Sequence, residues 1–278
     1  MIRYRLSVAV IKHLLSRILP YVLKALAVYI ILYPPAIKAQ DRCAPLVLSE
    51  HYAKHGTLDY LEHALSPQAQ ADDAPIVIGL HGLGHHKEGF SGLAKQLPNS
   101  WRVIFINAPF QYSRGRAWYR YRCPQAEQDL KLSIKAVFKT LESIKKRYPK
   151  SPQPALFGFS QGGVMSMALL NKQPQYWSAV VNFSGYWLSK TAPVKHSLKS
   201  LPPLLIVHGE RDRVVPFDRG LNAAQIMAEA GYLISWLPFN GGHHVPQVGL
   251  KSLVTHVNHA WALLKTKAGG LGQKQGKE

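Results

Sequence analysis

Short, uninterrupted apolar runs recur along the chain, each stopped by a turn former, and they constrain the fold more than any other feature. They are Pro75–His81 (PIVIGLH), Trp101–Asn107 (WRVIFIN), Ala155–Phe159 (ALFGF), Ser178–Phe183 (SAVVNF), Leu204–His208 (LLIVH) and Tyr232–Leu237 (YLISWL). Helix-patterned stretches lie between them. One covers Glu127–Tyr148, with Leu130, Ile134, Val137, Phe138, Leu141 and Ile144 on one face; others start at Gln161, near Pro216 and near Pro246. Strands that are continuously apolar rather than alternating are buried on both sides, so the pattern predicts an α/β fold with a mostly parallel sheet and helices on both faces. Thr57–Ala64 does alternate, which suits an edge strand. Ligands of such sheets gather beyond the C-terminal ends of the strands, so the residues that follow each run carry the functional argument.

The chain has 278 residues, 47% of them hydrophobic, enough for a sizeable core and too apolar for a disordered chain. Two cysteines exclude a disulfide-dense scaffold and a multi-thiolate zinc site. The net charge of +19 raises nucleic acid, an anionic membrane or an acidic partner as possibilities. Its distribution changes that reading. Residues 1–39 carry Arg3, Arg5, Lys12, Arg17, Lys24 and Lys38 without one acid. The tail 265–278 adds four lysines against Glu278. Basic residues, the apolar run Ala25–Tyr33, the Pro34-Pro35 pair and Ala36–Ala39 suit a signal peptide at 1–39. A membrane-anchor segment on an anionic surface fits too, since Leu14, Leu15, Ile18, Tyr21 and Val22 have helical spacing. The expectations are an exported or membrane-associated protein (cytoplasmic if the segment is no signal), a folded domain over 40–264 and a disordered basic tail over 265–278. In an exported protein Cys43 and Cys123 are candidates to pair.

Gly158-Phe159-Ser160-Gln161-Gly162 ends one apolar run and opens a helix, the strand–turn–helix context that G-x-S-x-G requires. A serine on so sharp a turn projects its hydroxyl from the sheet, and the flanking positions have no room for side chains. Serine needs a base, and the base needs an orienting group. Asp212 follows the run ending at His208, with Glu210 and Asp218 as rivals; His243 follows the run ending at Leu237, with His244 as rival. The order Ser160, Asp212, His243 fits a nucleophile, acid and base. Backbone N–H groups of Gln161 and of Leu83, in His81-Gly82-Leu83-Gly84, are the expected oxyanion donors. No metal or other cofactor is implied.

These motifs together (Leu80-His-Gly-Leu-Gly84, Gly158-Phe-Ser-Gln-Gly-Gly163, His208-Gly-Glu-Arg-Asp-Arg-Val-Val-Pro216 and Gly242-His243) resemble the phospholipase/carboxylesterase family, which includes acyl-protein thioesterases. The resemblance covers about residues 75–264 and touches Gly115 and Ala117-Trp118-Tyr119 as a substrate-side loop. It implies a single α/β-hydrolase domain in which Ser160, Asp212 and His243 form a triad and Leu83 and Gln161 the oxyanion hole. Two positions depart from the family pattern, His85 and Arg120, where the family favours acids. About 20 residues separate Phe183 from Leu204, too few for a cap domain of ~50 residues or more. The expected site is therefore open and walled by loops 109–126 and 185–200, with Phe110, Trp118, Tyr119 and Trp187 as substrate-binding aromatics. The function implied is a serine hydrolase cleaving carboxylic esters or thioesters of a small molecule or an acylated carrier. Alternatives are dienelactone-hydrolase-like or lysophospholipase activity, or a non-catalytic binding protein on the same fold. The basic, aromatic stretch Arg114–Arg122 is read as a substrate loop rather than a nucleic-acid surface, and no nucleic-acid partner is expected.

Overall fold

The apolar runs become one seven-stranded sheet in the computed structural model, which describes residues 43–196 and 201–272, with side chains as far as Thr266. In chain order the strands are β1 (Tyr60–His63), β2 (Ile76–Leu80) and β3 (Arg102–Ile106), then the short pair β4 (Phe110–Tyr112) and β5 (Gly115–Ala117), then β6 (Ala155–Phe159), β7 (Val180–Phe183), β8 (Leu204–Gly209) and β9 (Ile234–Phe239). The large sheet runs β1-β3-β2-β6-β7-β8-β9, while β4 and β5 form a separate hairpin. Among the described residues of the large sheet, only β1 is antiparallel to its neighbour, with Tyr60 opposite Ile106 and His63 opposite Val103. The alternating segment 57–64 thus supplies the edge, as its half-buried pattern requires.

The helices are α1 (Glu50–His55), α2 (Pro67–Gln70), α3 (Lys87–Phe90), α4 (Ala126–Arg147), α5 (Gln161–Lys172), α6 (Phe217–Glu229) and α7 (Gln247–Gly272). Successive strand residues point to opposite faces. Ile78, Leu80, Ile104, Ile206 and Leu204 accordingly join one core with Leu130, Val137, Leu141 and Ile144 of α4, Val164 and Leu169 of α5, and Ala223 and Met227 of α6. Val77, Val103, Phe105, Phe157, Val181 and Val207 join a second core with Leu250, Leu253, Val257 and Trp261 of α7. The strands β3, β2, β6, β7 and β8 therefore need no polar face, which explains their apolar runs, while β9 at the far edge is half-buried. In α4, Glu127 and Asp129 in the first turn and Lys145, Lys146 and Arg147 in the last complement the helix dipole.

The order of the strands reverses beside β2. The chain leaves β2 for β3 on one side, then returns to place β6 on the other and continues outward to β9. The crevice beyond β2 and β6 is the topological switch point, where open α/β sheets bind ligands.

The compact unit carrying the sheet begins at Pro45. The signal or anchor segment read over 1–39 lies outside the described residues. The expectation of a loose tail from residue 265 is corrected in part: α7 continues to Gly272. Lys265, Lys267 and Ala268 are good helix formers, so an already nucleated helix propagates through them and on into the glycines that follow. Residues 273–278 lie outside the described residues. Among the described residues no helix is long and apolar enough to cross a membrane. Cys43 and Cys123 are each disulfide-bonded.

Candidate active site

Ser160 sits between β6 and α5 at φ 55° and ψ −116°. A non-glycine residue with such a backbone is strained by about 1–3 kcal/mol. The neighbouring glycines are there for space. A Cβ on Gly158 would run into the Gly162 carbonyl, and a Cβ on Gly162 into the Leu80 carbonyl. The Ser160 N–H donates to the Phe183 carbonyl at 2.9 Å, which ties the turn to β7.

The Ser160 hydroxyl lies 2.9 Å from His243 Nε2, and His243 Nδ1 lies 2.7 Å from Asp212 Oδ2. A carboxylate only accepts, so Nδ1 carries the proton and the neutral ring presents a bare Nε2 to the hydroxyl. Asp212 is shut away from solvent, and its second oxygen accepts the N–H groups of Val214 and Val215, both at 2.9 Å. Burial alone would raise its pKa. The hydrogen bonds from His243, Val215 and Val214 outweigh that and hold the carboxyl below its ordinary value. Glu210 and Asp218, the rival acids, are exposed; the second histidine, His244, lines the same cavity but packs its ring on Phe239.

Leu83 and Gln161 border the cavity beside Ser160. Among the described residues neither backbone N–H is spent on a protein acceptor. Two anchors hold these groups. The Gln161 side chain accepts from the Trp118 N–H at 3.0 Å and donates to the Tyr119 carbonyl at 2.9 Å. The hairpin β4–β5 continues onto the 82–85 loop, with Gly84 N–H donating to Arg116 O at 2.9 Å and Arg116 N–H to His85 O at 2.8 Å. Gly115 permits that contact, because a Cβ there would strike the Gly84 carbonyl. Behind the loop, His81 accepts the Ala108 N–H at Nε2, so its Nδ1–H donates to Gly82 O at 2.8 Å. Burial lowers the His81 pKa to about 4, so it stays a neutral brace at neutral pH.

The cavity holds about 640 Å³ and includes Leu83, Phe90, Leu93, Phe159, Tyr186 and Val245 among its walls. Of the four aromatics expected there, Tyr119 lines it. Trp118 is fully buried, with its indole N–H donating to the His81 carbonyl at 2.8 Å, so it braces the loop instead. Phe110 is buried on the hairpin, where it bridges to Leu48. Trp187 borders a separate cavity with Lys190 and Ile226.

Residues 63–261 match the family model described as Phospholipase/Carboxylesterase. The chain belongs to the phospholipase/carboxylesterase family. It is a hydrolase of the carboxylesterase and thioesterase type. Similar proteins include acyl-protein thioesterase 1 of Yarrowia lipolytica, 29% identical over 63% of this chain and 87% of that protein. A probable carboxylesterase of Oryza sativa subsp. japonica is 27% identical over 69% of this chain and 80% of its own length. The crystal structure of esterase PE8 shares the fold, with a TM-score of 0.63 at 21% identity, covering 73% of this chain and 99% of that one. The Bacillus cereus carboxylesterase gives 0.61 at 15% identity, over 76% and 98%.

Against the family pattern, the departure at Arg120 is absorbed inside the fold: its guanidinium grips Asp129 at 2.8 and 2.9 Å, so it faces α4 rather than substrate. His85 does line the cavity. Sequence reasoning missed His208. Its ring is fully buried at the end of β8, against Trp236 and Phe217, in space that Gly220 leaves by having no side chain. Nε2–H donates to the Val215 carbonyl at 2.9 Å and stands 3.6 Å from Asp212 Oδ2. Burial lowers its pKa, so it acts as a neutral donor that closes the loop around the Asp212 carboxylate. In the sequence it closes an otherwise apolar strand and opens the motif His208–Pro216, but neither feature shows that its ring braces Asp212.

Proposed function

We propose that this hydrolase cleaves carboxylic esters or thioesters through an acyl-enzyme on Ser160. The unbroken hydrogen-bond chain from Ser160 through His243 to Asp212 carries the reading. In the first half-reaction the Ser160 oxygen attacks the acyl carbon, and His243 Nε2 takes the hydroxyl proton. Asp212 keeps the ring in the Nδ1–H tautomer and stabilises the imidazolium without taking the proton. The tetrahedral oxygen is received by the N–H groups of Leu83 and Gln161, the second of them at the positive end of α5. Expulsion of the alcohol or thiol takes the proton back from His243. Water then repeats the sequence on the acyl-enzyme and releases the acid.

The apolar residues Phe90, Leu93, Phe159 and Val245 suit an acyl chain. The similar proteins named as acyl-protein thioesterase and carboxylesterase support the same two bond types. Aryl esters of increasing acyl length test the reading. Wild type hydrolyses them, and Ser160→Ala lowers kcat by at least about 10³-fold. Equal activity of the two proteins overturns it. For location, two disulfide-bonded cysteines favour an oxidising compartment and so support export. Cell fractionation with mass spectrometry of the mature N-terminus tests this; a full-length cytoplasmic protein overturns it.

A further inference from the structure

Gly89 and Gly92 line the cavity from one helical stretch. The helix α3 runs without a break into a 3₁₀ segment, Ser91–Gln96, so both residues stand in helical backbone. Glycine destabilises such a stretch, because it loses the most backbone freedom of any residue and gains no side-chain contact. A glycine in a helix therefore needs a reason. At Gly89 the reason is packing: a Cβ would lie 3.3 Å from the His85 ring. At Gly92 the protein supplies none. Its φ is not in the left-handed region, and a Cβ there would come within 4 Å of no other part of the protein. Ser91 and Ala94 beside it are buried against the fold, whereas Gly92 is exposed and borders the cavity. An alanine or a leucine would fit and would favour the helix. What Gly92 preserves is the space in front of it, and a local rule broken with no structural return marks a functional position.

That space adjoins a rigid apolar surface. Phe90 is buried, its ring held against Phe105 and Phe157 with 5.8 Å between centres in each case. Leu93 is half-buried on the same core. Phe159 carries the surface to the chemistry. Its ring centre stands 4.8 Å from that of His243, and the Cβ that Gly82 lacks would lie 3.2 Å from Phe159 and 3.3 Å from Ser160. Residues from the other face of the sheet differ, since Tyr119 and Tyr186 bring hydroxyls to the cavity. The half of an ester with no polar group beyond its carbonyl is the acyl chain, so the Phe159–Phe90–Leu93 side suits it best. A volume of about 640 Å³ lies within the roughly 300–1,000 Å³ of pockets that enclose drug-sized ligands, and an acetyl ester leaves most of it empty.

We propose that Gly92 sets the acyl length of this enzyme: the acyl chain crosses its bare backbone, and the substrates carry a medium or long chain, such as octanoyl, rather than an acetyl group. The proposal rests on the serine-hydrolase reading and adds which acyl groups that chemistry serves. It requires no new chemical step. Each methylene buried against the wall raises kcat/KM by up to about 4-fold.

Two isomeric esters test it. Methyl octanoate and heptyl acetate contain the same atoms and carry the same alkyl chain on opposite sides of the ester bond. Wild type prefers methyl octanoate by at least about 10-fold in kcat/KM, with both esters dissolved as monomers. Gly92→Leu puts a side chain into the space and brings the ratio toward one; Gly92→Ala lowers it by less. Gly92→Ala unfolds in urea at a midpoint equal to or above that of wild type, since alanine is the better helix former. Equal rates for the two isomers in wild type, a preference for heptyl acetate, or a preference that survives Gly92→Leu overturns the proposal. A lowered midpoint for Gly92→Ala overturns it too, because glycine would then have a structural reason. The wild-type comparison needs no variant and so does not depend on the folding of a mutant. Failure of the serine-hydrolase reading looks different, since then neither isomer is hydrolysed at a rate that depends on Ser160.

Discussion

Asp212 divides its two oxygens between two tasks, and His208 makes that division possible. One oxygen takes the Val214 and Val215 N–H groups, which fixes the carboxylate; the other faces His243. His208 holds the Val215 carbonyl from behind. His208→Phe keeps a ring in the same space but loses the donor, so loop 209–216 loses its anchor. The expected outcome is a fall in kcat of about 10–100-fold with KM nearly unchanged, measured on a soluble aryl ester. A variant with wild-type kcat would show that His208 only packs. Residues of this kind explain what the sequence could and could not convey. Ser160, Asp212 and His243 were legible because each follows an apolar run in a turn whose composition is unusual. Tyr186 and the wall residues Phe90, Leu93 and Val245 were not, since their convergence depends on how separate loops fold back over the strand ends. Phe110, Trp118 and Trp187 were placed at the substrate because an aromatic residue in a loop does not reveal which way it points. Trp118 points inward, to a carbonyl that needed a donor.

The turn between β6 and α5 stores strain that the site uses. Its φ of 55° is held by the Phe183 carbonyl and by close approach of β2, and glycine tolerates that backbone without cost. Ser160→Gly should therefore raise the unfolding free energy by about 1 kcal/mol while abolishing hydrolysis. Paired denaturation and activity measurements check both; a variant less stable than wild type contradicts the strain argument. Elements differed in how far their patterns carried. The strands β2, β3, β6, β7 and β8 are buried on both faces, so apolar continuity marks them. The hairpin β4–β5 escaped notice. Its strands have three residues each, too short for any periodicity, and its turn uses Ser113 at φ 52° where a glycine would have signalled it. Yet this hairpin docks the 82–85 loop, so an element without a sequence signature positions an expected oxyanion donor. The helical extension of α7 to Gly272 was likewise masked by a glycine- and lysine-rich composition.

For the molecule as a whole, its buried histidines make stability sensitive to acid. His81 is held to about 4, and His208 and His256 are lowered as well, all chiefly by burial. The unfolded chain binds these protons below about pH 6.5, whereas the folded chain refuses them until lower pH, so stability falls as pH drops through that window. His81 alone contributes a loss of about 3 kcal/mol between pH 6.5 and 4. The depressed carboxyl of Asp212 adds to the loss further down: its contribution is full above the ordinary carboxylate value and vanishes as pH falls through the folded value. Urea unfolding at pH 7 and pH 4.5 measures this, and a level free energy across the range contradicts it. Charge, the most conspicuous bulk property of the chain, proved informative only when resolved by position. Nine of the nineteen net charges lie in residues 1–39 and 265–278, outside the segment that carries Ser160, Asp212 and His243. The central claim is that Ser160 carries the acyl group. Rapid-mixing of enzyme with a slowly deacylated aryl ester, followed by intact mass measurement and peptide mapping, tests it most directly. The account predicts a burst of one phenol per active site and an added acyl mass on the peptide containing Ser160, absent in Ser160→Ala. A burst with the acyl mass on another residue, or the same adduct in Ser160→Ala, would contradict it.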